Sequence, residues 1–557
     1  MSLGEWESYQ EGGNGNGAEE LGLSQKDLDL TGSVAPPMFT SVNISKSGAE
    51  RDDLMVSKGL QKMSVGEDDG SKWELEPGDI KVGKKLGSGA FGEVFKGKLH
   101  GKEVAVKKLL NQDLDGDALS AFKKEVQIMS KLRHPNVLLF MGACTEPGNL
   151  MLVTELMLRG SVYDMLHDKD KHLSFKRRMK MAKQTALGMN WLHCSKPPFI
   201  HRDLKTSNLL VDDNYNVKVC DFGLSHVKSH GDKGVRGSYG SCGTPLWMAP
   251  EVLLNKPYDE SVDVYSFGIV LWELLTQEDP FQDIDTYSMM LDQVVNNNHR
   301  PAIPDYCPTR LKQLIEACWH SDPSKRPSFE KVIPLFNQII VDSIIKDKHG
   351  RGLWKKQFMT KDNLLESVTW KQFVIGLTTY FKEKLPKNPE DVRYLCLHAL
   401  IADNEEEVVT IEAFGRFLEW FGPVENLNDI LDRVVNLLKK SWFHGEISSQ
   451  EAERLLSKEK KGTFLVRFSA RDPGSYAITT VSGSQKIKHF RVYHKPGLKY
   501  LIGKTECDSL DDIINKYHKD LYLKAACPGS RFEEIFKPAS VKEQKNVSCG
   551  YLVPDFG

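Results

Sequence analysis

Two short segments constrain this chain more than any bulk property. His201-Arg-Asp-Leu-Lys-Thr-Ser-Asn208 is followed, thirteen residues after Asn208, by Asp221-Phe-Gly223. Two acids, a lysine and an amide serve one centre only if the chain folds back to bring both segments together. Their types divide the work: Asp203 suits accepting a hydroxyl proton, Lys205 suits neutralising a moving phosphoryl group, and Asn208 with Asp221 offers oxygen ligands to Mg²⁺. The neighbouring Asp212, Asp213 and Asn214 read as a hairpin turn and stand outside the set.

A glycine-rich run, Gly87-Ser-Gly89-Ala-Phe-Gly92-Glu-Val94, precedes them. Alone it is a weak signal, because dinucleotide folds and plain turns use the same spacing. The run continues into short, strand-like Val94-Phe-Lys-Gly-Lys-Leu99 rather than a helix, so it reads as the tip of a hairpin. There the glycines let backbone N–H groups close on phosphate oxygens, with Val94 against the base. A strand, Glu103-Val-Ala-Val-Lys107, follows, and the spacing predicts a helix over 119–132 that presents Glu125. Lys107 would reach the phosphates and Glu125 would hold its ammonium.

With these motifs in place, residues 80–340 resemble the eukaryotic protein-kinase family. Ala249-Pro-Glu251, Asp263 and Arg326 add to the match, and the resemblance implies that Arg326 binds Glu251 and that Asp263 helps to brace the catalytic loop. Arg133-His-Pro-Asn-Val-Leu-Leu-Phe-Met-Gly142 and Gly243-Thr-Pro-Leu-Trp-Met-Ala-Pro-Glu251 are similar to the tyrosine-kinase-like group that includes Raf. The resemblance implies a bilobal fold, ATP and Mg²⁺ as cofactors, and protein substrates. It adds Ala105 to the nucleotide site, Thr154 as gatekeeper and Glu155 to Met157 as hinge. Lys205 and Thr244 are similar to Ser/Thr kinases, with tyrosine phosphorylation as a secondary outcome. Arg202, ahead of the catalytic Asp, implies regulation by activation-loop phosphorylation, for which Ser238, Tyr239, Ser241 and Thr244 are candidates.

A second anion site is expected near the C-terminal end. Arg467 lies inside Phe464-Leu-Val-Arg-Phe-Ser469, where an unpaired charge costs several kcal/mol. An internal carboxylate, a water-facing edge or a bound phosphate can answer it. Trp442-Phe-His-Gly445 before it and Lys488-His-Phe-Arg491 after it make the stretch similar to Src-homology-2 (SH2) domains, which bind phosphotyrosine peptides. The resemblance implies that Arg467 grips the phosphate, Ser469 donates a hydroxyl, and His489 and Arg491 flank ring and phosphate. Phe468 departs from the usual Glu, and Ser449 from a usual Arg.

Between the two regions, Val368-Thr-Trp-Lys-Gln-Phe373 is echoed by Val409-Thr-Ile-Glu-Ala-Phe414, like a pair of EF-hand units. With Trp370 and Ile411 in the apolar eighth places, the sixth places hold Val368 and Val409 and the twelfth hold Val374 and Gly415. Calcium binding is therefore not expected. The expected fold class is multidomain α+β: an acidic disordered segment (1–72), a kinase domain (73–340), a helical spacer (341–441), an SH2 sandwich (442–538) and a tail (539–557). This order resembles the amoebal SH2-domain-containing kinases of the tyrosine-kinase-like group. It is also similar to Cbl-type ubiquitin ligases in its spacer, but no RING-type zinc spacing exists and ligase activity is not implied.

Bulk properties narrow the classes. The net charge of −2 gives no nucleic-acid footprint, and the ten Cys stand singly, as reduced thiols do. No apolar run approaches the ~20 residues of a membrane span, and the ends carry no leader, myristoylation or prenylation pattern. A cytoplasmic protein without membrane insertion is expected, brought by its SH2 domain to phosphotyrosine proteins such as membrane receptors. The competing class is an inactive kinase fold serving as a phosphotyrosine-dependent scaffold. The presence of Lys107, Glu125, Asp203, Asn208 and Asp221 argues against it.

Overall fold

A computed structural model describes residues 73–537, apart from 90–91, 113–115, 169, 171, 197, 222–225, 228–244, 285, 362, 386–390, 404–405 and 495–498. The expectations for 1–72, for Ser238, Tyr239, Ser241 and Thr244, for Phe222 and Gly223, and for the tail lie outside the described residues, as does the side chain of Glu125.

The first lobe is an antiparallel sheet in the order β1-β2-β3-β5-β4, formed by β1 (Ile80–Gly89), β2 (Gly92–Leu99), β3 (Lys102–Leu109), β4 (Phe140–Cys144) and β5 (Met151–Glu155). Strand alternation explains its two faces: Val104 and Val106 are fully buried on one, which leaves Ala105 and Lys107 for the other. Helix α1 (Gly116–Met129) starts three residues before the expected 119 and stops before 132. Ser130 N makes the last i→i−4 bond, to Val126 O, and Leu132 N then closes a tighter turn on Met129 O, so the apolar period runs past the helix end.

The second lobe is helical. Helix α2 (Phe175–His193) leads toward the catalytic segment, β6 (Leu209–Val211) and β7 (Val217–Val219) form the hairpin read at Asp212–Asn214, and α3 (Ser261–Thr276) is buried on every side. Asp212 Oδ1 accepts from the backbone of Asn214 and Asn216, which fixes that turn.

Helix α4 (Phe329–Ile344) is a shared wall. Phe329, Phe336 and Ile340 enter the core of the lobe, while Val341 enters the core of the spacer. In the spacer, β8 (Ser367–Thr369) pairs with β9 (Val408–Thr410), and each strand runs into a helix, α5 (Trp370–Phe381) and α6 (Ile411–Phe421). Thr369 and Thr410 cap those helices by accepting from Gln372 N and Ala413 N. This corrects the register. The valines Val368 and Val409 face each other, and Trp370 and Ile411 open the helices, as N-cap chemistry requires. Taking the paired residues as the eighth places moves the sixth to Glu366 and Glu407 and the twelfth to Gln372 and Ala413.

The spacer is joined to the second lobe by charge as well. Lys176 of α2 pairs with Glu366 at 2.6 Å and with Glu412, and Lys180 pairs with Glu366 at 2.8 Å. Burial raises the Glu366 carboxyl, but the two lysines outweigh it and hold it below the usual range.

The last region is a sheet of β10 (Phe443–Gly445), β11 (Thr463–Phe468), β12 (Tyr476–Val481), β13 (Ile487–His494), β14 (Tyr500–Ile502) and β15 (Thr505–Cys507) in that order, with β16 (Ala525–Ala526) also on β11. Helices α7 (Ser449–Leu456) and α8 (Leu510–Tyr517) accompany it. Leu465 of β11 packs with Ala452 and Leu456 of α7. Phe464, Val466 and Phe468 belong to the core that the sheet shares with the spacer. Among the described residues no helix is long and apolar enough to cross a membrane.

Candidate functional site

Register gathers the residues proposed for the nucleotide. Val94 lies opposite Lys107, and Ala105 lies opposite Thr154, so all four side chains share one face of the first sheet. Gly89 opposite Gly92 closes the hairpin, and Gly87 lies opposite Val94. Gly92 is required by space: a Cβ there would lie 2.3 Å from the Lys108 carbonyl oxygen.

The two catalytic segments meet as their spacing demanded. Lys107 Nζ donates to Asp221 Oδ1 at 3.0 Å, across 114 residues of chain. Burial raises the Asp221 carboxyl, but Lys107 first, then His201 and Lys205, bring it below the usual carboxylate range, so it is ionised at neutral pH. Its backbone is in the left-handed region (φ +63°), a conformation that costs about 1–3 kcal/mol and persists where its surroundings enforce it. His201 does part of that, since its Nε2 donates to the Cys220 carbonyl at 2.9 Å and Cys220 N donates to Asn208 O at 3.0 Å.

Asp203 sits at the other end of this network. Its Oδ2 accepts from Lys205 Nζ at 3.0 Å and from Asn208 Nδ2 at 2.8 Å. Asn208 Nδ2 also donates to the Asp203 carbonyl, so both amide hydrogens are engaged and Oδ1 is the atom left to offer a ligand. Asp263 of α3 accepts from His201 N and Arg202 N at 2.8 Å each, which braces the loop from below, and His193 lies 2.8 Å from the same carboxylate. Arg326 grips Glu251 bidentately at 2.6 and 2.9 Å.

The hinge residues divide. Glu155 spends its carboxylate on Leu139 N and Lys218, so its side chain is not offered to a nucleotide. Met157 packs with Leu138 and Cys220 in a small cluster next to Asp221. Sequence reasoning missed Glu273, which accepts from Thr206 Oγ1 at 2.6 Å and Trp247 Nε1 at 2.7 Å and so ties α3 to the catalytic loop. Burial pushes its carboxyl up to about 8. Nothing local in its apolar helix marked it.

The second site is equally specific. Arg467 is 6% exposed on β11, which has neighbours on both sides, so a water-facing edge is ruled out. Among the described residues it forms no ion pair. Its Nη1 donates to the Phe468 carbonyl at 3.2 Å, and its Nε is buried without a partner. A guanidinium without a counter-charge is the condition a phosphate fits. Register places Arg467 opposite Ala477 and Ala477 opposite Arg491, while Thr479 lies opposite His489, all on the face toward α7. His489 contacts Thr479 Oγ1 and Glu453 Oε1 at 3.0 Å each, and Arg491 pairs with Asp472 at 3.0 Å. Ser469 Oγ accepts from Asp472 N at 3.2 Å. Glu453 and Asp472 were not anticipated: they occupy the two flanking side chains of the pocket, His489 and Arg491, and leave Arg467 bare.

Comparison with known families agrees with both halves. Residues 80–336 match the family described as protein tyrosine and serine/threonine kinase, and residues 442–517 match the SH2 domain. Across most of the chain, it is 42% identical over 491 residues to the dual specificity protein kinase shkA of Dictyostelium discoideum, covering 84% of this chain and 92% of that protein. The chain belongs to the SH2-domain-containing protein kinases. Its relative shkB of the same organism is 40% identical over 524 residues, covering 92% of this chain and 79% of that protein. The probable serine/threonine-protein kinase SIS8 of Arabidopsis thaliana is 45% identical over 317 residues, 56% of this chain and 30% of that protein. The kinase therefore uses ATP and protein substrates, and its SH2 domain takes phosphotyrosine-containing partners.

Proposed function

We propose that the kinase transfers the γ-phosphoryl group of ATP mainly to Ser and Thr hydroxyls, and also to Tyr, with Mg²⁺ as its metal. The observation that carries this is the continuous network from Lys107 through Asp221, Cys220 and Asn208 to Asp203 and Lys205. Asp203 Oδ2 is held by two donors, so its carboxylate is oriented to take a hydroxyl proton. Lys205, 3.0 Å away, keeps a positive charge beside the point where negative charge moves. Lys107 orders the phosphates from the sheet side, and Thr154 and Ala105 set the depth of the base pocket.

The donor set suits a hard cation. Asp221 and Asn208 offer oxygens only, and among the described residues no group of three or more His, Cys, Asp or Glu side chains could cage an ion alone. Such a pair fits Mg²⁺, which keeps phosphate and water oxygens in its shell and, when bound, neutralises phosphate charge. The relatives shkA and shkB are named dual specificity protein kinases, which supports the mixed substrate reading.

We place the kinase in the cytoplasm, recruited through Arg467 to phosphotyrosine-bearing membrane receptors. Eight free cysteines among the described residues support a reducing compartment. Incubating the full chain with Mg-ATP and a protein substrate, followed by phosphoamino-acid analysis, tests the enzymatic half. Phosphoserine and phosphothreonine with a smaller phosphotyrosine fraction are expected. No turnover, with phosphotyrosine binding intact, would identify a scaffold. Loss of membrane recruitment in Arg467→Met cells is the expected outcome for the second half, and unchanged recruitment contradicts it.

A further inference from the structure

The loop 469–475, between β11 and β12, carries Ser469 and Asp472 at the rim of the Arg467 pocket. Bonds within the SH2 domain close the loop, Ser469 N to Ser475 O at 2.9 Å and Arg491 to Asp472 at 3.0 Å, but its Ser475 end is also held from outside the domain. Trp420, near the end of spacer helix α6, donates from its indole Nε1 to the Ser475 carbonyl at 3.0 Å. Its ring lies 4.2 Å from the ring of Phe468, which Phe421, Phe443 and Tyr476 also contact. One residue earlier, the Glu419 carbonyl comes so near the loop that a Cβ on Gly474 would lie 2.7 Å from it. Gly474 has φ +83°, so only glycine meets both the space and the backbone conformation without strain.

These contacts converge on the phosphate-gripping residue. Among the described residues the Arg467 guanidinium makes one hydrogen bond, to the carbonyl of Phe468, the residue whose ring Trp420 contacts. The departure of Phe468 from the usual Glu is thereby explained: a carboxylate beneath the indole would be buried among rings without a counter-charge.

We propose that Trp420 is a positioning residue for phosphotyrosine recognition, so that the recognition unit comprises the SH2 domain together with spacer helix α6. The proposal rests on the reading of the Arg467 pocket as the phosphotyrosine site. Trp420 packs on Phe468, on the face of β11 opposite the one that carries Arg467. It fixes the Phe468 carbonyl and the Ser475 end of the loop, and so sets the direction of the guanidinium and of the loop's backbone donors before ligand arrives.

The test uses the full chain and phenyl phosphate, a probe that reports the phosphate and ring pocket without any peptide preference. Dissociation constants are measured by titration calorimetry for the parent, Trp420→Phe, Gly474→Ala and Arg467→Met, beside their thermal midpoints. Trp420→Phe keeps a ring against Phe468 and loses the indole bond, so about a 5-fold weakening is expected, the worth of one neutral hydrogen bond. Gly474→Ala, strained in φ and crowded by Glu419, should weaken binding by roughly 10-fold. A purely structural tryptophan would lower the midpoint and leave the constant of the folded protein unchanged. If Arg467→Met abolishes binding while Trp420→Phe and Gly474→Ala bind like the parent, the positioning role is overturned. If Arg467→Met binds like the parent, the pocket assignment itself is wrong.

Discussion

Replacing Arg467 by Met should stabilise the free protein and remove its phosphotyrosine binding at the same time. Two opposite signs from one substitution follow from the geometry. Arg467 is 6% exposed, forms no ion pair among the described residues, and leaves Nε buried without a partner. Burial already pulls its guanidinium below the usual arginine range, with Glu453 opposing. An uncompensated buried charge costs several kcal/mol, and Met keeps the apolar stem while discarding the charge. Allowing for the lost bond to Phe468 O, a net gain of about 1–3 kcal/mol is expected. At about 2–4 °C per kcal/mol for a unit of roughly 200 residues, the unfolding transition should rise by about 2–12 °C. In the complex the balance reverses. Removing one partner of a buried, hydrogen-bonded charge pair costs about 2–5 kcal/mol of binding, roughly 30- to 5,000-fold in affinity. Scanning calorimetry with and without phenyl phosphate reads both effects: the ligand should raise the parent's midpoint by mass action and leave the variant's in place. An earlier transition in the variant would mean that Arg467 has a counter-charge in the free protein, and the argument from the bare guanidinium would be lost.

Asp203→Asn should lower kcat by about 10²- to 10⁴-fold and leave nucleotide affinity near the parent's, because the Lys107–Asp221 pair is untouched; steady-state phosphotransfer and nucleotide titration check this, and comparable turnover refutes it. Arg326→Ala strands Glu251, itself only 7% exposed, and should destabilise the kinase domain by about 3–5 kcal/mol in denaturant unfolding; a loss under about 1 kcal/mol contradicts the reading. Glu273, with its carboxyl raised to about 8 by burial, holds a proton in the folded state that the unfolded chain releases near pH 4.5. Its contribution is therefore full below about pH 4.5 and fades as pH rises through about 8, by roughly 5 kcal/mol at most. Glu273→Gln should flatten that part of the stability profile, at a static cost of about 1–3 kcal/mol because its amide cannot accept from both Thr206 and Trp247; identical pH slopes for parent and variant would remove the argument.

Much of the catalytic half was legible because phosphoryl transfer needs fixed residue types at fixed separations, and such spacing survives as text. The hairpin tip at Gly89 and Gly92 and the Asp203 and Asp221 segments are instances, whereas the Arg326–Glu251 pair was expected only from the kinase resemblance. Helix ends were less legible, since the apolar period of α1 continues into the turn that follows it. The EF-hand register was misplaced by two for a related reason: Val368 and Trp370 are both apolar and fully or nearly buried, and only the Thr369 cap distinguishes strand from helix.

What the sequence determined by itself was local chemistry: which side chains can move or grip a phosphate, and that the charge of Arg467 needs either an anion or water. Tertiary structure decided which charges are already answered. It gave His489 to Glu453 and Arg491 to Asp472, left Arg467 bare, buried Glu273 against Thr206, and set Trp420 of the spacer against the loop of another domain. The physical reason is that pairing and burial are properties of distance in space. Residues 420 and 475, or 176 and 412, acquire their meaning only when packing brings them together, and no periodicity along the chain encodes that meeting.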